Sequence, residues 1–167
     1  MPVLIVEDLN ECQTGPRKIL KLEAELVITK EIYKQYIADF NAACAGDGTG
    51  FGAFYDKYYE PDAVFEYIPM AEKNKGKAIT VSFWEKLHGL MEEKIQDHTT
   101  LVISGNHVAT EAPIDFFCKK DVDWVGVQHK AGTSFRLLMA GFYRVSPNDK
   151  FEYVHVYSIY NPAYQLK

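Results

Sequence analysis

Three side chains stand out for the chemistry their surroundings would allow. Glu66 lies between Phe65 and Tyr67 in the run FYDKYYEPDAVFEYIP, residues 54–69. On a strand with Glu66 facing an interior, loss of water would raise its carboxyl toward neutrality and make it a general base. The opposite parity turns the same side chain to solvent. An inward carboxylate needs a partner, because an isolated buried ion costs on the order of several kcal/mol. Tyr36 is such a partner and a donor to a developing oxyanion, or else a core-filling tyrosine with a satisfied hydroxyl. His155 alternates with Tyr153 and Tyr157, which sets a group suited to proton transfer near neutral pH within an aromatic wall; its plainer reading is a structural histidine. Asp115 would orient His155 if their strands were neighbours with matching faces. His107, beside the Gly105-Asn106 turn, reads as a solvated turn residue.

Other chemistries find little support. His88, His98, His107, His129 and His155 form no i,i+4 pair on a helix and no HExxH, so no metal is expected. Cys12, Cys44 and Cys118 are odd in number and lack a CxxC pair, which suggests neither a disulfide framework nor a zinc knuckle. The glycine-rich loop at residues 46–50 follows a helix, whereas a phosphate-cradling loop follows a strand. No serine sits in a GxSxG elbow. With a formal net charge of −5 the chain lacks the basic balance of a nucleic-acid binder. The apolar run in MPVLIVED is too short for a signal-peptide core or a membrane span. A cytoplasmic protein is expected, with no cofactor.

The elements that must position these residues follow from periodicity. At 167 residues, 47% hydrophobic and 25% charged, the chain has the size and composition of one globular domain. Residues 1–28 read as an N-terminal arm, and residues 29–167 as the domain. Thr29 reads as an N-cap with Glu31 in the first turn. Ile32, Tyr33, Tyr36, Ile37, Phe40 and Cys44 then recur at helical spacing until a stop at Gly46. A short helix over about 51–59 runs into a Glu60-Pro61-Asp62 corner and a strand over 63–68. After a Lys-rich loop, a helix is expected from Lys77 to about Lys94. Hairpins follow: 101–103 with 107–118 around Ser104-Gly105-Asn106, and 135–145 with 151–160 around Pro147-Asn148-Asp149. Pro113 in the second of these strands requires an edge or a bulge. Arg136, Leu138, Ala140, Phe142 and Arg144 alternate with Phe135, Leu137, Met139, Gly141 and Tyr143. Two largely apolar faces imply that both are covered.

This order of elements, with its EPDAVFEYIP, GKAITVSFWEKL, GNHVATEAPIDFF, GTSFRLLMAGFYRV and DKFEYVHVYSIYN segments, resembles the NTF2-like superfamily, in particular its SnoaL-like and ketosteroid-isomerase-like branches. The resemblance spans about 29–161. It implies an α+β cone: a strongly curved, mostly antiparallel sheet wrapped by three helices, with a pocket at the open end and a homodimer formed through the sheet. It also implies an oxyanion tyrosine on the first helix at about Tyr36, if the distance to Asn41 is the anchor. The family's general base falls near Glu66 or Tyr67, and its second oxyanion acid near Gly141, where this chain has none. The acid that SnoaL-like polyketide cyclases carry on the last strand falls near residues 154–156, where His155 stands.

The resulting expectation is a pocket lined by Tyr33, Phe40, Phe54, Tyr67, Phe83, Trp84, Leu137, Met139 and Tyr157, with Tyr36, Glu66 and His155 as catalytic groups. It would take a small apolar or polycyclic organic ligand. One reading is isomerisation, cyclisation or dehydration of a ketone-like substrate by acid/base proton transfer. The alternatives are a non-catalytic ligand-binding or dimerisation module, and a protein binder with an external apolar patch. At least two of the three catalytic candidates in one cavity would mark the enzyme, and an apolar cavity with at most one polar group the binding module.

Overall fold

The computed structural model describes residues 28–45, 49–124 and 126–161. The expected N-terminal arm, Cys12 and the Gly46 stop lie outside these residues, apart from Ile28, which is buried in the core.

Helix α1 (Lys30–Ala45) begins where Thr29 Oγ1 accepts the Ile32 N–H at 3.2 Å, the cap expected from sequence. It buries Tyr33, Tyr36, Ile37, Phe40 and Cys44 on one stripe. Helix α2 (Phe51–Tyr58) passes directly into β1 (Tyr59–Tyr67). Pro61 falls in the stretch of β1 where its register with β9 shifts, between Tyr59 and Val64, so its missing donor breaks no regular ladder.

The sheet is larger than the sequence pattern suggested. The Lys-rich loop contains an edge strand, β2 (Glu72–Lys75), paired antiparallel to β1; its charged, exposed residues suit an edge and disguise a strand. Helix α3 (Lys77–His88) ends at Gly89, and the segment expected to prolong it is β3 (Met91–Ile95). Met91 and Glu93 are buried while Glu92 and Lys94 are exposed, a period of two. Strands β4 (Thr100–Ser104) and β5 (His107–Cys118) form the first hairpin, followed by a small separate hairpin of β6 (Val122–Trp124) and β7 (Val127–His129). β8 (Ser134–Val145) and β9 (Phe151–Tyr160) complete the main sheet.

The order across the main sheet is β2-β1-β9-β8-β5-β3, with β4 also on β5. Neighbours are antiparallel except β1 and β9, which run parallel. Along one side of β5, β4 pairs as far as Glu111 and β3 from Ile114. Pro113 occupies the junction between them, so a central strand tolerates it.

The sheet curls into a half-barrel closed by the helices. Its core has two clusters: one around α1, α2 and Trp84, the other around Tyr67, Met91, Phe116, Trp124 and Phe135. Phe65, Phe83, Ile95 and Val156 touch both, and the space between the clusters is the site.

Candidate active site

Between the two clusters lies a mainly apolar cavity of about 70 Å³, roughly half the volume of an engineered apolar cavity that takes up benzene (about 150 Å³). Strand parity decides what reaches it. One row across the concave face runs Phe65, Val154, Tyr143, Val108, and the next runs Tyr67, Val156, Gly141, Thr110.

The polar groups gather at one end. Tyr36 and Tyr59 share a hydrogen bond at 2.7 Å. Tyr33 lies 3.2 Å from the Tyr143 hydroxyl, with Thr110 Oγ1 and His98 Nε2 at 3.5 and 3.4 Å. Burial, reinforced by the neighbouring phenols, holds Tyr33, Tyr36 and Tyr59 well above the usual phenol range. Burial also raises Tyr143, partly offset by hydrogen bonds from Tyr33, Thr110 and Tyr36. All four phenols are therefore neutral hydrogen-bond donors at physiological pH. His98, half-buried in the β3–β4 connection, is held by burial below the usual histidine range, so its imidazole is neutral and has a lone pair to offer.

Gly141 makes room for this cluster. A Cβ at that position would lie 2.9 Å from the Tyr143 hydroxyl and 3.1 Å from Thr110 Oγ1. Where the resemblance called for an acid, the chain has a bare backbone with a phenol folded back over it.

Glu93 lines the cavity farther along, joined to His88 Nε2 at 3.1 Å. Asn41 fixes β3 against α1 by a two-way bond to the backbone of Ile95, 2.9 Å in each direction.

Of the residues expected at the site, Tyr36, Tyr33, Phe40, Tyr67, Phe83, Trp84 and Met139 line the cavity. Glu66 and His155 do not, which corrects their expected placement; with Tyr36 alone of the three in the cavity, the expected mark of an enzyme is not met by those residues. Phe65 and Tyr67 face inward, so Glu66 between them faces outward; Val154 and Val156 turn His155 out in the same way. On the convex face Glu66 accepts a short hydrogen bond from Tyr153, with Lys73 at 3.6 Å and His155 at 3.9 Å. The bond from Tyr153, then Lys73 and His155, hold the Glu66 carboxyl below the usual carboxylate range, the reverse of a desolvated base. Tyr157 also belongs to the convex face and is 41% exposed. Phe54 and Leu137 are buried in the two clusters without lining the cavity. Asp115 pairs with Arg136 and Gln96, and β8 separates it from His155. His107 is exposed, as expected.

Sequence reasoning passed over Tyr59, Tyr143, Thr110, His98 and Glu93. The signal for Tyr143 was present: a glycine inside a strand marks a close approach, here two residues before a tyrosine on the same face.

Solved structures share this architecture. A proposed polyketide cyclase from Xanthomonas campestris pv. campestris aligns with a TM-score of 0.59 over 77% of this chain and 89% of that chain, at 17% identity. The fold is NTF2-like. Within it, a protein of ketosteroid-isomerase-like fold from Catenulispora acidiphila, solved with trimethylamine, aligns with a TM-score of 0.56 at 16% identity, covering 77% of this chain and 86% of that one. An LEH-like epoxide hydrolase from M. tuberculosis aligns with a TM-score of 0.53 at 13% identity, covering 75% and 80%. No protein-family model matches the sequence, and no curated protein matches it. This NTF2-like cone thus shares its frame with proteins named for different reactions, and the frame alone selects none of them. Among the described residues, no helix is long and apolar enough to cross a membrane.

Proposed function

We propose that the protein is a small-molecule enzyme that moves a proton at a carbon next to a carbonyl. The carrying observation is that four neutral phenols and a neutral histidine meet at one end of a mainly apolar, partly open cavity. A ligand carbonyl docks against the Tyr36–Tyr59 and Tyr33–Tyr143 hydroxyls. His98 takes the α-proton: the C–H bond breaks, its electron pair enters the enolate, and the charge developing on oxygen is met by hydrogen bonds already in place. The His98 imidazolium then returns the proton to another carbon, which is isomerisation, or to a leaving group, which is elimination. The surrounding apolar wall strengthens these bonds by excluding water. The volume favours ligands of few heavy atoms; a polycyclic ligand requires the half-buried Phe83 and Leu87 to swing outward.

The reading is tested by incubating the protein with acetone, butanone and cyclopentanone in D₂O and following α-proton signals by NMR. Exchange above the buffer rate that falls in Tyr36→Phe and His98→Gln supports it. Exchange at the buffer rate with all three, combined with ligand-induced thermal stabilisation, would instead favour the binding module.

The convex face supports a proposal about assembly. Val102, Phe142, Tyr157 and Ile159 are exposed there, and the ladder aligns Val102 with Ala109 and Ala109 with Phe142. A second copy of the chain covers this face, and sedimentation velocity of Phe142→Glu against the unaltered protein reports it as a shift from dimer to monomer.

A further inference from the structure

We propose that Cys44, His88 and Glu93 form a binding site for one zinc-class divalent ion. The three residues come from α1, the last turn of α3 and β3, and all are buried. Cys44 Sγ lies 3.2 Å and Glu93 Oε2 3.1 Å from the same atom, His88 Nε2, and the candidate donor atoms are all within 4.8 Å of one another. The other ring nitrogen, Nδ1, is 2.7 Å from the Trp84 carbonyl oxygen. A carbonyl only accepts, so Nδ1 carries the proton, and in the neutral ring the Nε2 lone pair points at the thiol and the carboxylate. This is the tautomer and backing bond expected of a metal-binding histidine. Phe51 and Phe40, with ring centroids 4.7 and 6.0 Å away, help fix the ring's orientation.

The Nε2 lone pair of a neutral His88 can accept from only one of the Cys44 thiol and a protonated Glu93. A divalent ion takes the Nε2 lone pair, the thiolate and the carboxylate together, and its two positive charges cancel the two negative ones in a buried place. On binding, the thiol gives its proton to solvent. Metal–ligand bonds of about 2.0–2.3 Å in a tetrahedral site place donor atoms roughly 3.3–3.7 Å apart, so the His88–Cys44 and His88–Glu93 separations need to open by only a few tenths of an ångström. A thiolate with an imidazole selects zinc-class ions over magnesium or calcium. Glu93 borders both the central cavity and an open groove beside Asn41, Ala42 and Ala45, which gives an ion a way in. The sequence offered no sign of this because the ligands share no helix and no spacing.

The site meets the central cavity through Glu93, but the proton-transfer proposal uses none of its residues, and its test reads metal directly. Tag-free protein stripped with EDTA is titrated with Co²⁺, then Zn²⁺, following near-ultraviolet thiolate-to-cobalt absorption and melting temperature. One equivalent of Co²⁺ with that absorption, displaced by Zn²⁺, is expected. It should persist in Cys12→Ser/Cys118→Ser and in the convex-face control His155→Gln. Cys44→Ser should lose the absorption, and Glu93→Gln, which keeps the side chain's shape, should weaken binding at least tenfold. Absence of the absorption in the unaltered protein, or affinity unchanged in Glu93→Gln, would overturn the site even if Cys44→Ser fails to fold.

Discussion

The two faces of the curved sheet carry similar residues in opposite circumstances. On the convex face, Glu66, Tyr153, His155 and Lys73 form a half-exposed ionic group. On the concave side, Tyr33, Tyr36, Tyr59, Tyr143 and His98 meet at the cavity. The first group stabilises the charged form of its carboxylate; the second is driven toward neutral forms by burial. Proton transfer to and from carbon uses the second condition, because neutral donors and a neutral acceptor respond to charge as it develops. Composition alone does not separate the two groups; parity along β1 and β9 does.

The contrast can be broken first through packing. Trp84 is 2% exposed and contacts rings from α1, α2 and β1, so Trp84→Ala should cost about 3–5 kcal/mol in urea denaturation. Phe142→Ala on the convex face, measured on dilute monomer, should stay below about 1 kcal/mol. Chemistry gives the next contrast. Removing one oxyanion donor typically costs about 100- to 1,000-fold in rate, so Tyr36→Phe should reduce α-proton exchange by about that factor, and Glu66→Gln by less than about twofold. An equal loss in both would end the distinction between the faces. Gly141→Ala, which pushes a methyl group into Tyr143 and Thr110, should destabilise by about 1–3 kcal/mol and weaken exchange without touching His98.

The smallest effects are in pH dependence. His98 has a folded pKa below its unfolded value, so the unfolded chain binds more protons in the window just under about pH 6.5. Stability therefore declines as pH falls through that window; burial depresses His129 in the same way, so His98→Gln should reduce this slope and leave the part that His129 carries. Exchange activity should fall with acid over the same range. Glu66 is also depressed in the fold; its contribution is present above the ordinary glutamate value and lost as pH drops through the lower folded one. Glu66→Gln should thus lower stability by a constant amount above about pH 4.5 and flatten the acid slope below it, so that the two proteins converge in acid.

The cone was legible wherever the pattern was long: α1 from its Thr29 cap and one-sided stripe, β8 from strict alternation, and β9 from an aromatic and β-branched run after a turn. It was hidden where local preference opposed tertiary placement. Glu92, Glu93 and Lys94 favour a helix, yet pairing with β5 makes them a strand. Glu72 to Lys75 look like loop because an edge strand has little to bury. At the site, flanking aromatics suggested that Glu66 was buried, but neighbours at i±1 on a strand point the opposite way, so an inward Phe65 and Tyr67 put Glu66 outside. Tyr59 was concealed in the Pro61 corner, and the Tyr33–Tyr143 pair joins α1 to β8, a register that no local pattern encodes.

Backbone-amide NMR mapping of a titration with acetone, butanone and cyclopentanone tests most directly whether the concave face is the functional one. Shifts concentrated at Tyr36, Thr110, Gly141 and Tyr143, largest for the ketone that best fills the cavity, are the expected result. Shifts concentrated at Glu66, Tyr153 and His155, with the interior unmoved, would contradict it.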